Sequence, residues 1–302
     1  MKITTLPLIV LALASGLTAH AAAQQPHPLE GRIWDTRSRG FISAESAYDR
    51  AAASRHLLLG EKHDSRIHHQ LQLEALQALA RRGRRPTLAL EQFDREHQPA
   101  LEAAQAAGIT DAERLADAGQ LNREGWRWPM YKDLIGFAAA QGWLLAAANL
   151  SRADAREIAM GRSAPPLPPA DSAQLAAMSE DIVQGHCGHR PSPERLAAIV
   201  HAQRARDASM AEALEASTPP TVLIAGTGHV RRDRAVPRYL KDSESALTIA
   251  YVETSEGKET PQAYDAAGFD LLWFTPPTRR PDPCDQPLGG SVAPSTPSKE
   301  KP

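Results

Sequence analysis

Six short apolar segments, separated by amphipathic helical patterns, constrain the fold of this 302-residue chain most strongly. Their apolar residues stand at consecutive positions, so both faces of each strand are expected to be buried. Strands of this kind that alternate with helices form a mostly parallel sheet covered by helices on both sides. The sequence therefore predicts a three-layer α/β fold with strands at HLLLGE (56–61), TLALEQF (87–93), WLLAAAN (143–149), TVLIAGTGH (221–229), ALTIAYVET (246–254) and DLLWFTP (270–276).

The composition indicates one domain. The chain is 42% hydrophobic and 23% charged, which suits a single core large enough to fold alone. We expect the α/β domain to run over 30–275, with a helical insertion over about 95–142. The Pro-, Ser- and Gly-rich stretch 276–302 is predicted to be a disordered tail. A net charge of −2 gives no indication of nucleic-acid binding.

The N-terminal residues have the pattern of a secretory signal peptide. Lys2 supplies a short positive region, residues 6–17 form an apolar core too short to span a bilayer, and small residues around Ala21 suit cleavage. We therefore expect residues 1–23 to be removed and the protein to be exported to the periplasm. No cysteine stands at the cleavage site for a lipid anchor, and no later apolar run is long enough for a transmembrane helix.

Polar residues stand where several predicted strands end. Two strands are each followed by Gly-x-x-His, in Gly60-Glu61-Lys62-His63 and in Gly226-Thr227-Gly228-His229. Ligands of open parallel sheets bind beyond the carboxyl ends of the strands. Taken singly, each polar residue there also has a structural explanation, as a helix cap or a turn residue. Taken together, they predict one cleft lined by Glu61, His63, Glu91, Asn149 and His229.

The helix predicted over 193–214 carries polar residues within its apolar stripe. Gln203 and Asp207 fall on the midline of that stripe. A buried carboxylate is unfavourable unless it is paired. Asp207 therefore needs a partner, which is either an arginine in a structural ion pair or a histidine of the cleft whose tautomer it fixes.

The helix after the first Gly-x-x-His segment adds a further histidine. Asp64 or Ser65 is expected to cap this helix, and His68 lies in its first turn, within the arc of its inner face. His69 points further outward. His68 can share the cleft with His63, or it can be a core histidine, and the pattern leaves both alternatives open.

The segment GWRWPMYKDLIGF (125–137) concentrates aromatic residues, with Trp126, Trp128 and Tyr131. Aromatic side chains beside a polar cleft suit a flat apolar ligand, and a tyrosine phenolate can bind ferric iron. Ordinary packing at the start of a helix explains the same pattern.

Other features limit the chemistry. The sequence has no Gly-x-Ser-x-Gly elbow, no Gly-rich dinucleotide fingerprint, no phosphate loop and no His-Glu-x-x-His helix, which disfavours serine nucleophiles and nucleotide binding.

The two cysteines, Cys187 and Cys284, can form a disulfide in an exported protein or remain free thiols. Alternatively, Cys187 can be a ligand within His186-Cys187-Gly188-His189.

Six segments carry a further resemblance: LLLGEKHDSRIHH, LALEQFDREHQPAL, WRWPMYKDLIGFA, WLLAAANL, AQRARDASMAEAL and VLIAGTGHVRRDRAVPRYL. Taken in this order, and over about residues 34–254, they resemble the ChaN-like haem-binding family. The resemblance implies a three-layer α/β fold, export, and a role in iron or haem acquisition. It also implies haem bound between paired subunits with a tyrosine on the iron, for which Tyr131, inside a matching segment, is the candidate. The lipoprotein cysteine of the family is missing. The haem site is thus expected to include Tyr131, His68, Gln203, Asp207 and Asn149.

The wider Tiki/TraB-related superfamily, which includes erythromycin esterases, implies an alternative. Its members with paired Gly-x-x-His segments and acidic partners resemble metal-dependent peptidases or esterases. Two imidazoles and one or two carboxylates can hold a divalent metal with an open position for water. A His–carboxylate pair can also act as a general base without metal. The residues that would serve as metal ligands or catalytic groups are Glu61, His63, Glu91 and His229. Haem binding is the predicted function, and hydrolysis is the alternative.

Overall fold

The computed structural model describes residues 26–281 and Cys284. Its eight strands are β1 (Ile33–Asp35), β2 (Gly40–Ile42), β3 (His56–Glu61), β4 (Thr87–Asp94), β5 (Leu145–Asn149), β6 (Thr221–Gly226), β7 (Ala246–Glu253) and β8 (Leu271–Thr275). Its α-helices are α1 (Ala44–Ala53), α2 (Arg66–Arg81), α3 (Gln98–Ala106), α4 (Ala112–Ala118), α5 (Lys132–Ala140), α6 (Arg152–Ala159), α7 (Ser172–Gly185) and α8 (Pro193–Ala216). All six predicted strands are present.

The strands form one sheet in the order β2-β1-β8-β7-β3-β6-β4-β5. The six strands from β8 to β5 are parallel, and β1 and β2 add an antiparallel edge beside β8. Because β1 and β2 have only three residues each, their sequences carried no alternation from which they could be predicted.

Alternate residues of the central strands face opposite layers of helices. Leu57 and Leu59 pack in a core that includes residues of α1 to α5, whereas Leu58 packs in a second core that includes residues of α8. This alternation follows from the two-residue period of a strand and explains why consecutive positions are apolar. The predicted three-layer α/β class is confirmed.

Six of the eight α-helices in the described residues, all except α3 and α5, begin where a polar side chain accepts a free backbone N–H group. The Ser65 hydroxyl caps α2 by accepting from the N–H of His68, which resolves the choice between Asp64 and Ser65. Asp111 caps α4 by accepting from the N–H of Arg114 at 3.0 Å. Between β4 and β5 the predicted insertion contains α3, α4 and α5.

Cys187 and Cys284 form a disulfide, with their Cα atoms 5.5 Å apart. The bond joins the loop between α7 and α8 to the chain beyond β8, so of the three alternatives the pair is the one found.

The predicted signal peptide (1–23) and most of the predicted tail (276–302) lie outside the described residues. The described start of that tail makes contacts: Arg280 pairs with Asp64 at 2.8 Å and with Glu253 at 2.6 Å. In the described part of the chain, no helix is long and apolar enough to cross a membrane.

Candidate functional site

Four neighbouring parallel strands, β3, β6, β4 and β5, bring the polar strand ends together. Their carboxyl ends meet at one edge of the sheet, as expected for a ligand-binding crevice. One cleft at this edge is lined by His63, Glu91, Asn149 and His229. Glu61 is buried behind His63.

The two Gly-x-x-His segments pack directly against each other. A Cβ atom on Gly60 would overlap Val230 Cγ2 and lie 3.1 Å from Thr227 Cα. A Cβ atom on Gly226 would lie 3.0 Å from His63 Nε2. Each glycine therefore allows the other segment to approach, which gives a physical reason for glycine at both positions.

Glu61 is the centre of a buried cluster beneath the cleft. Its Oε1 accepts hydrogen bonds from His63 Nδ1, at 2.9 Å, and from the hydroxyl of Tyr131. Its Oε2 lies 3.1 Å from His69 Nε2, as an ion-pair contact without hydrogen-bond alignment. His69 Nδ1 donates to the carbonyl oxygen of Met130 at 3.1 Å. Glu61 thus holds the proton of His63 on Nδ1 and leaves Nε2 toward the cleft.

Burial and pairing set the charges of this cluster. Burial would raise the pKa of Glu61, but the hydrogen bond from His63 and the close contact with His69 hold it well below its usual range. Burial would lower the pKa of His63, but Glu61 and Glu91 raise it instead. Burial and the Glu61 carboxylate raise the pKa of Tyr131 far above that of a free phenol. Glu61 is therefore a carboxylate and Tyr131 a neutral phenol.

His229 is held between two carboxylates. Its Nδ1 donates to Asp207 Oδ1 at 2.7 Å, and its Nε2 lies 3.6 Å from Glu91 Oε1. Burial would lower the pKa of His229, but Glu91 and Asp207 raise it to about 9. Burial raises the pKa of Asp207, and the facing imidazolium opposes that shift. His229 is therefore a cation at neutral pH, and the partner of Asp207 is a histidine of the cleft.

Glu91 joins the two halves of the site. Its Oε2 lies 3.9 Å from His63 Nε2 and accepts the N–H of Gly226 at 2.8 Å. The pairing of β4 with β6 ends at Leu90, and β4 also loses its register with β5 after that residue. Such an irregularity re-aims a side chain, and here it coincides with the contact of Glu91 with the end of β6. Two imidazoles, each backed by its own carboxylate, thus share a third.

Two adjoining cavities open over these side chains and share His63, Gln203 and His229. The apolar cavity, of about 360 Å³, has Met178, Ile182, Ile199, His186 and Asp207 among its lining residues. The polar cavity, of about 600 Å³, has Glu91, Asp94, Trp126, Asn149, Arg152 and Arg206 among its lining residues. The cleft therefore offers an apolar surface on one side and charged groups on the other.

The aromatic segment 125–137 lies partly at this cleft. The rings of Trp126 and His63 are in edge contact, with their centroids 5.0 Å apart. Trp128 is turned to another partner, since its Nε1 donates to Glu113 at 3.0 Å. Trp126 is thus the aromatic side chain of this segment that lines the polar cavity.

Two residues predicted to bind the cofactor do not face the cleft. Tyr131 is 0% exposed and its hydroxyl is occupied by Glu61, so it does not present an oxygen to a ligand. His68 is also 0% exposed. Its Nδ1 accepts the N–H of Lys62 at 3.0 Å, and its Nε2 lies 3.0 Å from Thr275 Oγ1. Burial lowers the pKa of His68 to about 4, so the core alternative is the one found.

Sequence reasoning missed several residues of the site. His69 was expected to point outward, yet its ring packs on that of Tyr131 with centroids 4.6 Å apart. His186 lines the apolar cavity beside the cysteine that drew attention to its segment. Arg206 lies one residue before Asp207 in α8 and Arg152 follows β5, and neither was predicted to line the cleft.

The four residues predicted as metal ligands converge, but they do not form a ready metal site. Within residues 26–281 and Cys284, no three His, Cys, Asp or Glu side chains are arranged to hold a metal ion. The oxygens of Glu61 are engaged by His63, His69 and Tyr131, which leaves His63 and His229 with Glu91 alone between them.

Comparisons with known proteins agree with this fold. A family model described as haem-binding uptake, Tiki superfamily, ChaN, matches residues 47–240. ChaN of Campylobacter jejuni, solved with cofacial haem binding, is similar with a TM-score of 0.70 and 24% identity over 80% of this chain and 95% of that chain. Its likeness supports the fold.

Two further solved structures resemble the chain more weakly. The type III effector HopBA1 has a TM-score of 0.42 and 15% identity over 77% of this chain and 92% of that chain. RRSP, a MARTX toxin effector domain from Vibrio vulnificus, has a TM-score of 0.38 and 14% identity over 74% of this chain and 42% of that chain. A search of the curated proteins found no match.

Proposed function

The chain belongs to the ChaN family of haem-binding uptake proteins in the Tiki superfamily, and on this premise we propose that it binds haem in the cleft at the strand ends. The observation that carries the proposal is the apolar cavity, in which Met178, Ile182 and Ile199 share one surface with the imidazoles of His63 and His186. An apolar surface suits the porphyrin plane, and imidazole is a common ligand of haem iron.

We propose that the iron ligand is His63 or His186 rather than the buried Tyr131. His186 Nδ1 lies 2.6 Å from the carbonyl oxygen of Ile182, which can only accept, so Nδ1 donates and Nε2 is the nitrogen left for a ligand. Glu61 fixes the same tautomer in His63. An imidazole whose other nitrogen donates to an oxygen is the usual form of a metal ligand. Because Glu61 and Glu91 raise the pKa of His63, iron binding at His63 would release a proton.

The proposal is tested by placing a charge in the apolar wall. Ile199→Glu, on the cavity side of α8, should abolish saturable haem binding measured by absorbance in the Soret region, because a carboxylate there opposes an apolar ligand. Ala197→Glu, on an exposed position of the same helix, is the matched control and should bind like the unchanged protein. Equal haem binding by both variants would exclude this cavity as the site.

We extend the proposal to pairing of two copies, because the similar Campylobacter jejuni protein was solved with cofacial haem binding. Light scattering with and without haem should then show a dimer whose formation depends on haem. A monomer at saturating haem would refute the pairing while leaving haem binding intact.

Export to the periplasm and a role in iron or haem acquisition complete the proposal. Export is supported by the sequence pattern of residues 1–23. Fractionation of cells that express the full chain is the direct test, and a protein retained in the cytoplasm at its full length would refute export. Growth on haem as the iron source, with and without the protein, tests the role in acquisition.

A hydrolase remains the second candidate, favoured by one observation: Glu91 lies between two imidazoles that are each backed by a carboxylate. A carboxylate in that place can accept a proton from water, while protonated His229 can donate one to a leaving group. Peptide and ester substrates should then be cleaved by the protein and not by Glu91→Gln. Equal turnover, or none, in both proteins would refute this candidate.

A further inference from the structure

The polar cavity contains two guanidinium groups that form no ion pair with a carboxylate of the described residues. Arg152 and Arg206 both line it. Across residues 26–281 and Cys284, neither guanidinium lies within 4 Å of a carboxylate oxygen, although many other arginines of the chain do. Two cations on the wall of one cavity repel each other unless an anion lies between them or nearby.

Arg206 is the more informative of the two because it is half-buried. Its Nη1 donates to Asn149 Oδ1 at 2.8 Å, which orients the guanidinium at the end of β5. Asn149 is itself buried. A guanidinium has five N–H donors in a fixed planar fork that matches the two oxygens of a carboxylate. Arg206 is therefore a cation held in a fixed orientation, and its remaining N–H groups can donate to a ligand.

The acidic residues of the cavity do not remove this positive character. Glu91 is engaged by the Gly226 N–H and faces both His63 and His229. The charge of His229 in turn offsets that of Asp207. The remaining carboxyl, Asp94, has its pKa raised by burial, which a hydrogen bond from the backbone of Arg152 and the charge of Arg206 oppose. The half of the cavity nearest α6 thus keeps two cations against one carboxylate.

We propose that Arg206 and Arg152 form a carboxylate-binding subsite that takes the propionate groups of haem and so orients the porphyrin in the cleft. This inference rests on the proposed haem binding. The apolar and polar cavities adjoin at Gln203, so one ligand can place an apolar ring on Met178 and Ile182 and its acidic edge among the arginines. The subsite selects a porphyrin with free carboxylates over one without them.

The test compares haem with its dimethyl ester, in which both propionates are blocked. The unchanged protein should bind haem about tenfold or more tightly than the ester, as expected for charge-assisted hydrogen bonds. Arg206→Gln should weaken haem binding by about tenfold and leave ester binding unchanged, and Arg152→Gln should act in the same direction. Arg156→Gln, one turn further along α6 and outside the cavity lining, is the control and should keep the preference.

The outcomes separate this inference from the function on which it rests. Equal affinity for haem and ester, or an equal loss for both ligands in Arg206→Gln, would overturn the subsite while haem binding stands. Saturable binding of neither ligand by the unchanged protein would overturn the haem function itself. A preference for haem that Arg206→Gln retains would place the propionates elsewhere.

Discussion

His229 and Asp207 are joined by a hydrogen bond of 2.7 Å in the cleft, and the second ring nitrogen of His229 faces Glu91 at 3.6 Å. The buried imidazole of His229 is therefore a cation that lies between two carboxylates. Such a group binds its proton more tightly in the folded chain than in the unfolded chain.

The free energy of unfolding should consequently fall as pH rises above neutrality. The pKa of His229 is raised from 6.5 to about 9, so its contribution is complete below about 6.5 and is lost as pH rises through about 9. Urea unfolding at several pH values measures this slope. His229→Gln should flatten it, whereas His189→Gln, at an exposed histidine, should not. An unchanged slope in His229→Gln would show that the pairing does not stabilise the cation.

Replacing Glu61 by Gln should destabilise the fold. The side chain is buried and contacts His63, His69 and Tyr131, so the amide would leave partners of the carboxylate unpaired. Breaking a buried pair in this way costs about 3 kcal/mol. Glu102→Gln, at an exposed position of α3, is the control. A loss below about 1 kcal/mol in chemical denaturation would contradict the central place given to Glu61.

Tyr131→Phe separates a structural role from iron binding. The variant loses the hydroxyl that donates to Glu61, and a hydrogen bond to a charged group contributes about 1.5–3 kcal/mol to stability. Its Soret spectrum with haem should nevertheless match that of the unchanged protein, because the hydroxyl does not face the cleft. If the folded variant fails to shift the Soret band, Tyr131 binds the iron after a rearrangement of the site.

The disulfide should contribute strongly to stability. It closes a loop with a sequence separation of 97 residues, for which chain entropy predicts on the order of 4 kcal/mol. Cys187→Ser should unfold at lower urea concentration, and adding a reductant should change the unchanged protein but not the variant. A reductant effect of equal size in both proteins would mean that it does not act through this bond.

The fold followed from the sequence because its strands are apolar on both faces, as in Leu57-Leu58-Leu59, and because Gly and Pro mark the segments between them. The convergence of Glu61, Glu91 and the two Gly-x-x-His histidines could be predicted because ligands of parallel sheets bind beyond the carboxyl ends of the strands. The strand order did not, because sequence does not state that β6 lies between β3 and β4. That order brings Glu91 between His63 and His229.

The roles of His68, His69 and Tyr131 depended on tertiary packing. Neighbouring residues of a helix lie about 100° apart, so His68 and His69 face different parts of the molecule. Both are buried, His68 against Tyr251 and His69 against Tyr131. The path of residues 125–131 places Tyr131 and the carbonyl oxygen of Met130 against His69. The same path buries Tyr131 beneath the cleft, which the aromatic composition of its segment did not reveal.

Haem titration, followed by absorbance in the Soret region, tests most directly whether His63 or His186 binds the haem iron. The titration compares the unchanged full chain with a double variant that combines His63→Ala and His186→Ala. We predict a saturable shift for the unchanged protein that the double variant loses, while His189→Ala, outside the apolar cavity lining, retains it. The single variants then identify which imidazole binds the iron. An identical saturable shift in the folded double variant would show that neither imidazole binds iron and would contradict the account.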